Sequence, residues 1–217
     1  MSPRENIMSE DRFASSSLTA GQLNAIVKML GGPSRALRFL RGELTVSEPT
    51  RSWREEGGVI YFSVTSDGTT GEDWIKRLEG NNFRVGDYAK QLLRSPDFVP
   101  TSGVTNEVAV LKGTSFKDDD RITNNICARA EKGTFLKPTA ELACLIRVKF
   151  TDEDIAAMGL WAIIAMHEPI KDSDGDPRLL GASRHDGGCW LYACCGKPGR
   201  RWYRDYGFAF PVSQTSS

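Results

Sequence analysis

The sequence predicts an α+β protein, with helices in its N-terminal and central parts and a mainly antiparallel β-sheet, a meander, at its C-terminal end. Three observations carry that prediction. Apolar residues recur at helical spacing early in the chain, as at Leu23, Ile26, Val27 and Leu30. Strand-like segments rich in aromatic and apolar residues follow the apolar run 160–166, at 178–184, 189–195 and 202–210. The spacers between them, His185-Asp186-Gly187-Gly188 and Gly196-Lys197-Pro198-Gly199, are short and glycine-rich, which suits hairpins better than crossover connections.

Residues 1–17 lack periodicity and read as a disordered lead. Residues 18–45 read as a helical hairpin. Thr19 is placed as a helix cap, Gly31-Gly32 as the stop and Pro33 as the first turn of a second helix with Leu37 and Leu40 on its apolar face. Two helices joined by Gly-Gly also fit a helix-turn-helix, although a hairpin packed on the rest of the chain imitates that motif easily. The main α+β domain is assigned to residues 46–212. It opens with a strand at 59–64, between Gly57-Gly58 and Asp67-Gly68. A helix carries Trp74, Ile75 and Leu78 on one face, and a second carries Val85, Tyr88, Ala89, Leu92 and Leu93 and ends before Pro96. Residues 107–111 read as a short alternating strand. The aspartates Asp118, Asp119 and Asp120 are expected at the N-terminus of a helix bearing Ile122, Ile126 and Ala130. In the helix after Pro138, Leu142, Leu145 and Ile146 are assigned to the buried face and Glu141 and Arg147 away from it. Thr151-Asp152-Glu153-Asp154 is a capping start, and Gly159 ends that helix.

Composition bounds the function. At 217 residues the chain is long enough for one substantial domain. Its 28 basic and 28 acidic residues balance, so no global field selects nucleic acid or an anionic membrane, and either partner needs a local patch. No run approaches the ~18 apolar residues of a membrane helix, and the polar first dozen residues do not form a signal peptide. The five cysteines are odd in number and include no Cys-x-x-Cys pair, which fits a reducing compartment with Cys127 and Cys144 as small core hydrophobes. The expectation is a cytoplasmic protein without membrane association.

Three segments carry a resemblance: Trp74 to Glu79 continuing through Tyr88-Ala89-Lys90, then Ala140-Glu141-Leu142-Ala143-Cys144-Leu145-Ile146-Arg147, then Met166-His167-Glu168-Pro169-Ile170 with Lys171 to Gly175. Together they resemble an uncharacterised family of bacterial and metagenomic proteins of unknown function. That resemblance implies an intact bacterial-type domain over most of the chain after residue 18 and carries no activity, cofactor or catalytic residue with it.

Both histidines, three of the five cysteines and three of the five tryptophans lie between Leu160 and Phe210, so candidate sites are sought there. His167, Glu168, His185 and Asp186, with Asp172, Asp174 and Asp176 nearby, supply the imidazole and carboxylate types that divalent metals take. The expected hairpin turning at Asp174 pairs His167 near residue 181, several residues short of His185, so the spacing is loose for one ion. The turn at 172–176 echoes the first half of a calcium loop, but Pro177 follows and no later bidentate Glu appears. Cys189, Cys194 or Cys195 with a histidine and an aspartate matches a nucleophilic triad by residue type alone, without a local signature. Lys197, Arg200, Arg201, Trp202 and Arg204, with Tyr203, form the densest basic and aromatic cluster and could hold phosphates while an aromatic ring stacks on a base. If these residues form a strand, Trp202 and Arg204 share one face and Tyr203 takes the other.

The leading expectation is a non-enzymatic soluble binding protein that contacts nucleic acid or a protein partner through the C-terminal sheet, at Lys197 to Arg204, without a cofactor. One alternative is a small metal-assisted hydrolase or transferase using a divalent metal with His167, Glu168 and His185. Another is a partner subunit that docks through its helices.

Overall fold

A computed structural model describes residues 19–45, 51–185 and 187–213. The expected disordered lead at 1–17 lies outside these residues. The chain divides into two compact units, Met1–Thr50 and Arg51–Ser217.

In the first unit, α1 (Ala20–Met29) and α2 (Pro33–Leu40) form where the sequence puts them. Thr19 and Gln22 make a reciprocal capping box on α1. Gly31 and Gly32 turn the chain at φ of 87° and 102°, values that glycine reaches without steric cost, and Pro33 starts α2. Neither helix has a covered apolar face: α1 buries no residue and α2 only Ala36, while Leu37 and Leu40 are exposed.

The second unit is built on one nine-stranded mixed sheet. Its strands are β1 (Arg54–Glu56), β2 (Val59–Asp67), β3 (Arg84–Val85), β4 (Ser102–Lys112), β5 (Ala162–Ala165), β6 (Ile170–Lys171), β7 (Pro177–Ser183), β8 (Trp190–Cys195) and β9 (Tyr206–Pro211). Its helices are α3 (Gly71–Gly80), α4 (Asp87–Leu93), α5 (Thr123–Lys132), α6 (Glu141–Lys149) and α7 (Asp152–Ala157). The α+β class holds, and β5, β7 and β8 form the expected antiparallel meander. The last strand does not extend it. The order runs β1-β2-β4-β9-β5-β7-β8-β3, with β9 antiparallel to β4 and parallel to β5. The sheet therefore joins strands from both ends of the unit, and β3 adds a second parallel pairing, to β8.

Burial explains the order. Val108 to Leu111 on β4 are covered on both faces, rather than alternating as the sequence suggested, and so are Gly207 to Pro211 on β9. Strands of this kind belong in the middle of a sheet. Residues Ala162 to Ala165 are likewise wholly buried, with Ile163 and Ala165 facing one core and Ala162 and Ile164 the other. The first core lies under α3, α4, α6 and α7 and contains Trp74, Leu92, Ile146, Phe150 and Ile155. Phe62 and Phe150 meet there edge-on at 4.8 Å. The second core lies under α5 and contains Phe116, Ile126, Trp202, Phe208 and Phe210.

Several local assignments change. Val85 belongs to β3, not to the helix after it. The aspartates at 118–120 do not cap α5. Ile122 is its N-cap, and its first amides, on Thr123 and Asn124, donate to the carbonyls of Arg200 and Pro198. Asp118 instead pairs with Arg121, a buried side chain that also donates to the carbonyls of Gly113, Phe116 and Trp202. Gly71, at the start of α3, meets the end of α4 so closely that a Cβ there would lie 1.7 Å from the Leu93 carbonyl oxygen.

Glu141 and Arg147 are inside the protein, contrary to the sequence assignment. Arg147 Nη1 donates to Asp152 Oδ1 at 3.0 Å and to the Ser183 carbonyl at 3.1 Å. Its Nη2 donates to the Phe150 carbonyl, and the guanidinium lies 5.3 Å from the Phe83 ring centroid. A single side chain thus ties α6 and α7 to the end of β7. Arg147→Ala should lower unfolding free energy by about 3–5 kcal/mol, because it strands these partners in the interior. Lysine, without the planar fork, should not restore it. Urea unfolding of the two variants checks both outcomes.

Candidate functional site

The structure separates the two histidines. Ile164 pairs with Gly181 but Ile170 pairs with Arg178, so the five residues 165–169 stand opposite two of β7, 179 and 180. His167 lies in that interruption of the ladder. Its Nε2 accepts the Leu180 amide at 2.9 Å, and its Nδ1 contacts the Glu168 carbonyl at 2.7 Å. This bonding defines the neutral tautomer protonated on Nδ1. The imidazole replaces a backbone acceptor that β5 no longer supplies, and its Nε2 lone pair is spent on that bond.

His185 is elsewhere, exposed in the turn after β7 between Trp161 and Trp190. Glu168 is exposed and pairs with Lys137 at 2.6 Å. Asp186 lies outside the described residues. No group of three or more His, Cys, Asp or Glu gathers as a metal cluster among the described residues, so the structure does not assemble His167, Glu168 and His185 into one site. The calcium-like turn is also explained by its own bonds: Asp172 Oδ1 accepts from the amides of Asp174 and Asp176, and Oδ2 takes Arg178 Nε at 2.6 Å.

Four of the five thiols are poor nucleophiles. Burial pushes Cys144 up, and pushes Cys194 up to about 12. Burial also raises Cys189 and Cys127. Little thiolate is then present at neutral pH.

The basic cluster is broken up as well. Residues 202–205 do not form a strand; they close a segment that crosses the second face of the sheet before β9 begins at Tyr206. Trp202, 4 % exposed, is a core residue whose Nε1 donates to Thr123 Oγ1 at 3.0 Å, so it offers no stacking surface. Lys197 pairs with Asp176 at 3.0 Å and Arg201 with Asp119 at 2.9 Å. Arg200 lies over the Trp202 ring. Arg204 and Tyr203 stay exposed.

A different basic and aromatic constellation is assembled at one end of the sheet. The Arg184 amide bonds the Trp161 carbonyl at 3.0 Å, Ser183 pairs with Trp190 across β7 and β8, and Trp190 pairs with Arg84 across β8 and β3. These pairings line up side chains from four neighbouring strand ends. Arg184 lies 5.5 Å from the Trp161 ring centroid and Arg84 lies 5.5 Å from that of Trp190. The His185 ring stands between the indoles, 6.3 Å from Trp161 and 6.4 Å from Trp190. The row is therefore Arg184, Trp161, His185, Trp190, Arg84. Neither guanidinium has an acidic partner among the described residues. The row borders a cleft of about 370 Å³ that also takes in Tyr88, Tyr192 and Tyr206, with Asp87 as the acid of its described lining. Trp190 Nε1 beside it has no hydrogen-bond partner among the described residues.

A larger cavity, about 530 Å³, lies between α5 and the β6–β7 hairpin and contains the face of His167. Its rim mixes Glu131 and Glu168 with Lys137 and Lys171. Sequence reasoning misses the aromatic row because its members are spread from residue 84 to residue 190 and only cross-strand pairing brings them together. No protein-family model, curated protein or solved structure matches the chain. No helix among the described residues is long and apolar enough to cross a membrane.

Burial lowers the His167 pKa to about 4. In the unfolded chain an imidazole titrates near 6.5. Between those values the unfolded state binds a proton that the native state does not, so stability falls as pH drops from about 6.5 towards 4. The full loss is about 3 kcal/mol at 1.36 kcal/mol per pH unit. Urea midpoints taken from pH 7 to 4.5 should show this slope, and His167→Gln should remove it.

Proposed function

We propose that this is a non-enzymatic binding protein that holds single-stranded nucleic acid on the C-terminal half of its sheet, along the row Arg184, Trp161, His185, Trp190, Arg84. The observation that carries the reading is the alternation itself: two indoles and an imidazole are spaced along one sheet end, with a guanidinium beyond each indole. Aromatic faces accept any base, and flanking arginines take the phosphates between bases. The balanced charge of the whole chain fits a contact made by a local patch. The bonded state of His167 and the raised thiols support binding over catalysis.

Quenching of tryptophan fluorescence by a short oligothymidylate or oligouridylate tests the reading. Trp161→Ala and Trp190→Ala should each weaken binding by about 5- to 150-fold, the equivalent of one lost stack of about 1–3 kcal/mol. Arg84→Ala and Arg184→Ala should each reduce the slope of log affinity against log salt by about 0.7. Arg201→Ala, whose guanidinium is held by Asp119, should change little. Affinity unchanged in both tryptophan variants would sink the assignment, and capture of a protein in place of the oligonucleotide would redirect it to a protein partner.

A further inference from the structure

A second site, sharing no residue with the aromatic row, lies between β4, the connection 136–139 and the first turns of α6. Glu141 is 1 % exposed. Its Oε2 accepts the Thr101 amide at 2.9 Å and the Thr101 hydroxyl at 2.7 Å, while Oε1 is buried and has no partner among the described residues. An acceptor left unpaired in the interior is costly, and a carboxylate is among the costliest. The first turn of α6 supplies part of the compensation through its dipole but no hydrogen bond to Oε1.

Glu141 lines a cavity of about 230 Å³. The walls are Leu142, Leu145, Pro138 and Pro211, and Val104 and Leu136, both exposed, stand at its mouth. Thr139 and Asn106 add polar atoms. The described lining contains one cation, Lys137, which is engaged with Glu168 at 2.6 Å. The cavity thus combines an apolar sleeve, a buried acidic group and no committed countercharge.

We propose that this cavity binds a primary alkylammonium group, with the Glu141 carboxylate as its counter-ion and the carbon stem lying against Leu142, Leu145 and Val104. A divalent cation fits less well, because it needs six or more oxygen ligands and Glu141 is the sole acid in the described lining. The volume is below that of a drug-sized pocket and suits a short amine or one lysine side chain. A free amine and a protein lysine share this chemistry, and the test separates them.

The experiment is a calorimetric titration of the full chain with n-butylammonium chloride and, separately, with Nα-acetyl-lysine amide. Tetramethylammonium chloride, which has the charge but no N–H, and n-butanol, which has the stem but no charge, serve as controls. Saturable binding of butylammonium is expected, and Glu141→Gln should weaken it by at least about tenfold. Val104→Trp, an exposed substitution that leaves the core intact, should block the mouth and abolish binding even if the Gln variant fails to fold. Binding of the lysine amide alone would assign the site to a protein side chain, and binding of butylammonium alone to a free amine; either supports the ammonium pocket. No saturation by either amine, equal binding of tetramethylammonium, or unchanged affinity in Val104→Trp would overturn it.

Discussion

The middle strands of the second unit's sheet are covered on both faces, and that constraint governs the rest of the molecule. A central strand with two buried faces cannot alternate apolar and polar residues, so β4, β5 and β9 are apolar throughout their middles. Covering the second face takes α5 and the long segment that leads into β9. That segment supplies the carbonyls which satisfy the first amides of α5, and it carries Trp202 beneath the helix. A residue that looks like part of a basic surface in the sequence is thereby turned into core. The same requirement places Arg147 inside, where it bonds carbonyls and a carboxylate that would otherwise be stranded between α6, α7 and β7.

Local signals were legible and long-range ones were not. Thr19 and Thr151 announced their helices through side chains three residues from their partners, and the structure shows both capping boxes. The hairpin turns before β7 and β8 were equally plain. The place of β9 was invisible, since its partners β4 and β5 lie far away in sequence and pairing carries no local mark. Arg147 was misplaced for a related reason. A charged residue at helical spacing is normally exposed, and its burial depends on the Phe150, Asp152 and Ser183 atoms brought to it by tertiary structure.

The candidate sites divide along the same line. The sequence offers His167 as a metal ligand, but its task is to complete a ladder between β5 and β7, which only the three-residue mismatch of the strands reveals. Trp161 and Trp190 are unremarkable in sequence, each standing at one end of a strand. Cross-strand pairing brings them into register with Arg184 and Arg84, a distance of about a hundred residues in the chain reduced to neighbouring backbones. Glu141 is placed outside by the sequence because an acid at the start of a helix ordinarily faces solvent beside the helix dipole.

The position of β9 also sets a schedule. During synthesis it is the last of the nine strands to leave the ribosome, yet it occupies the middle of the sheet. Until it arrives, β4 and β5 each present an unpaired and largely apolar edge, and the nascent protein holds two half-sheets with a gap between them. Closure must wait for residues 206–211, and it joins contacts about a hundred positions apart, the kind of topology that folds slowly. The interval before closure is when this chain is most open to edge-to-edge association with its neighbours.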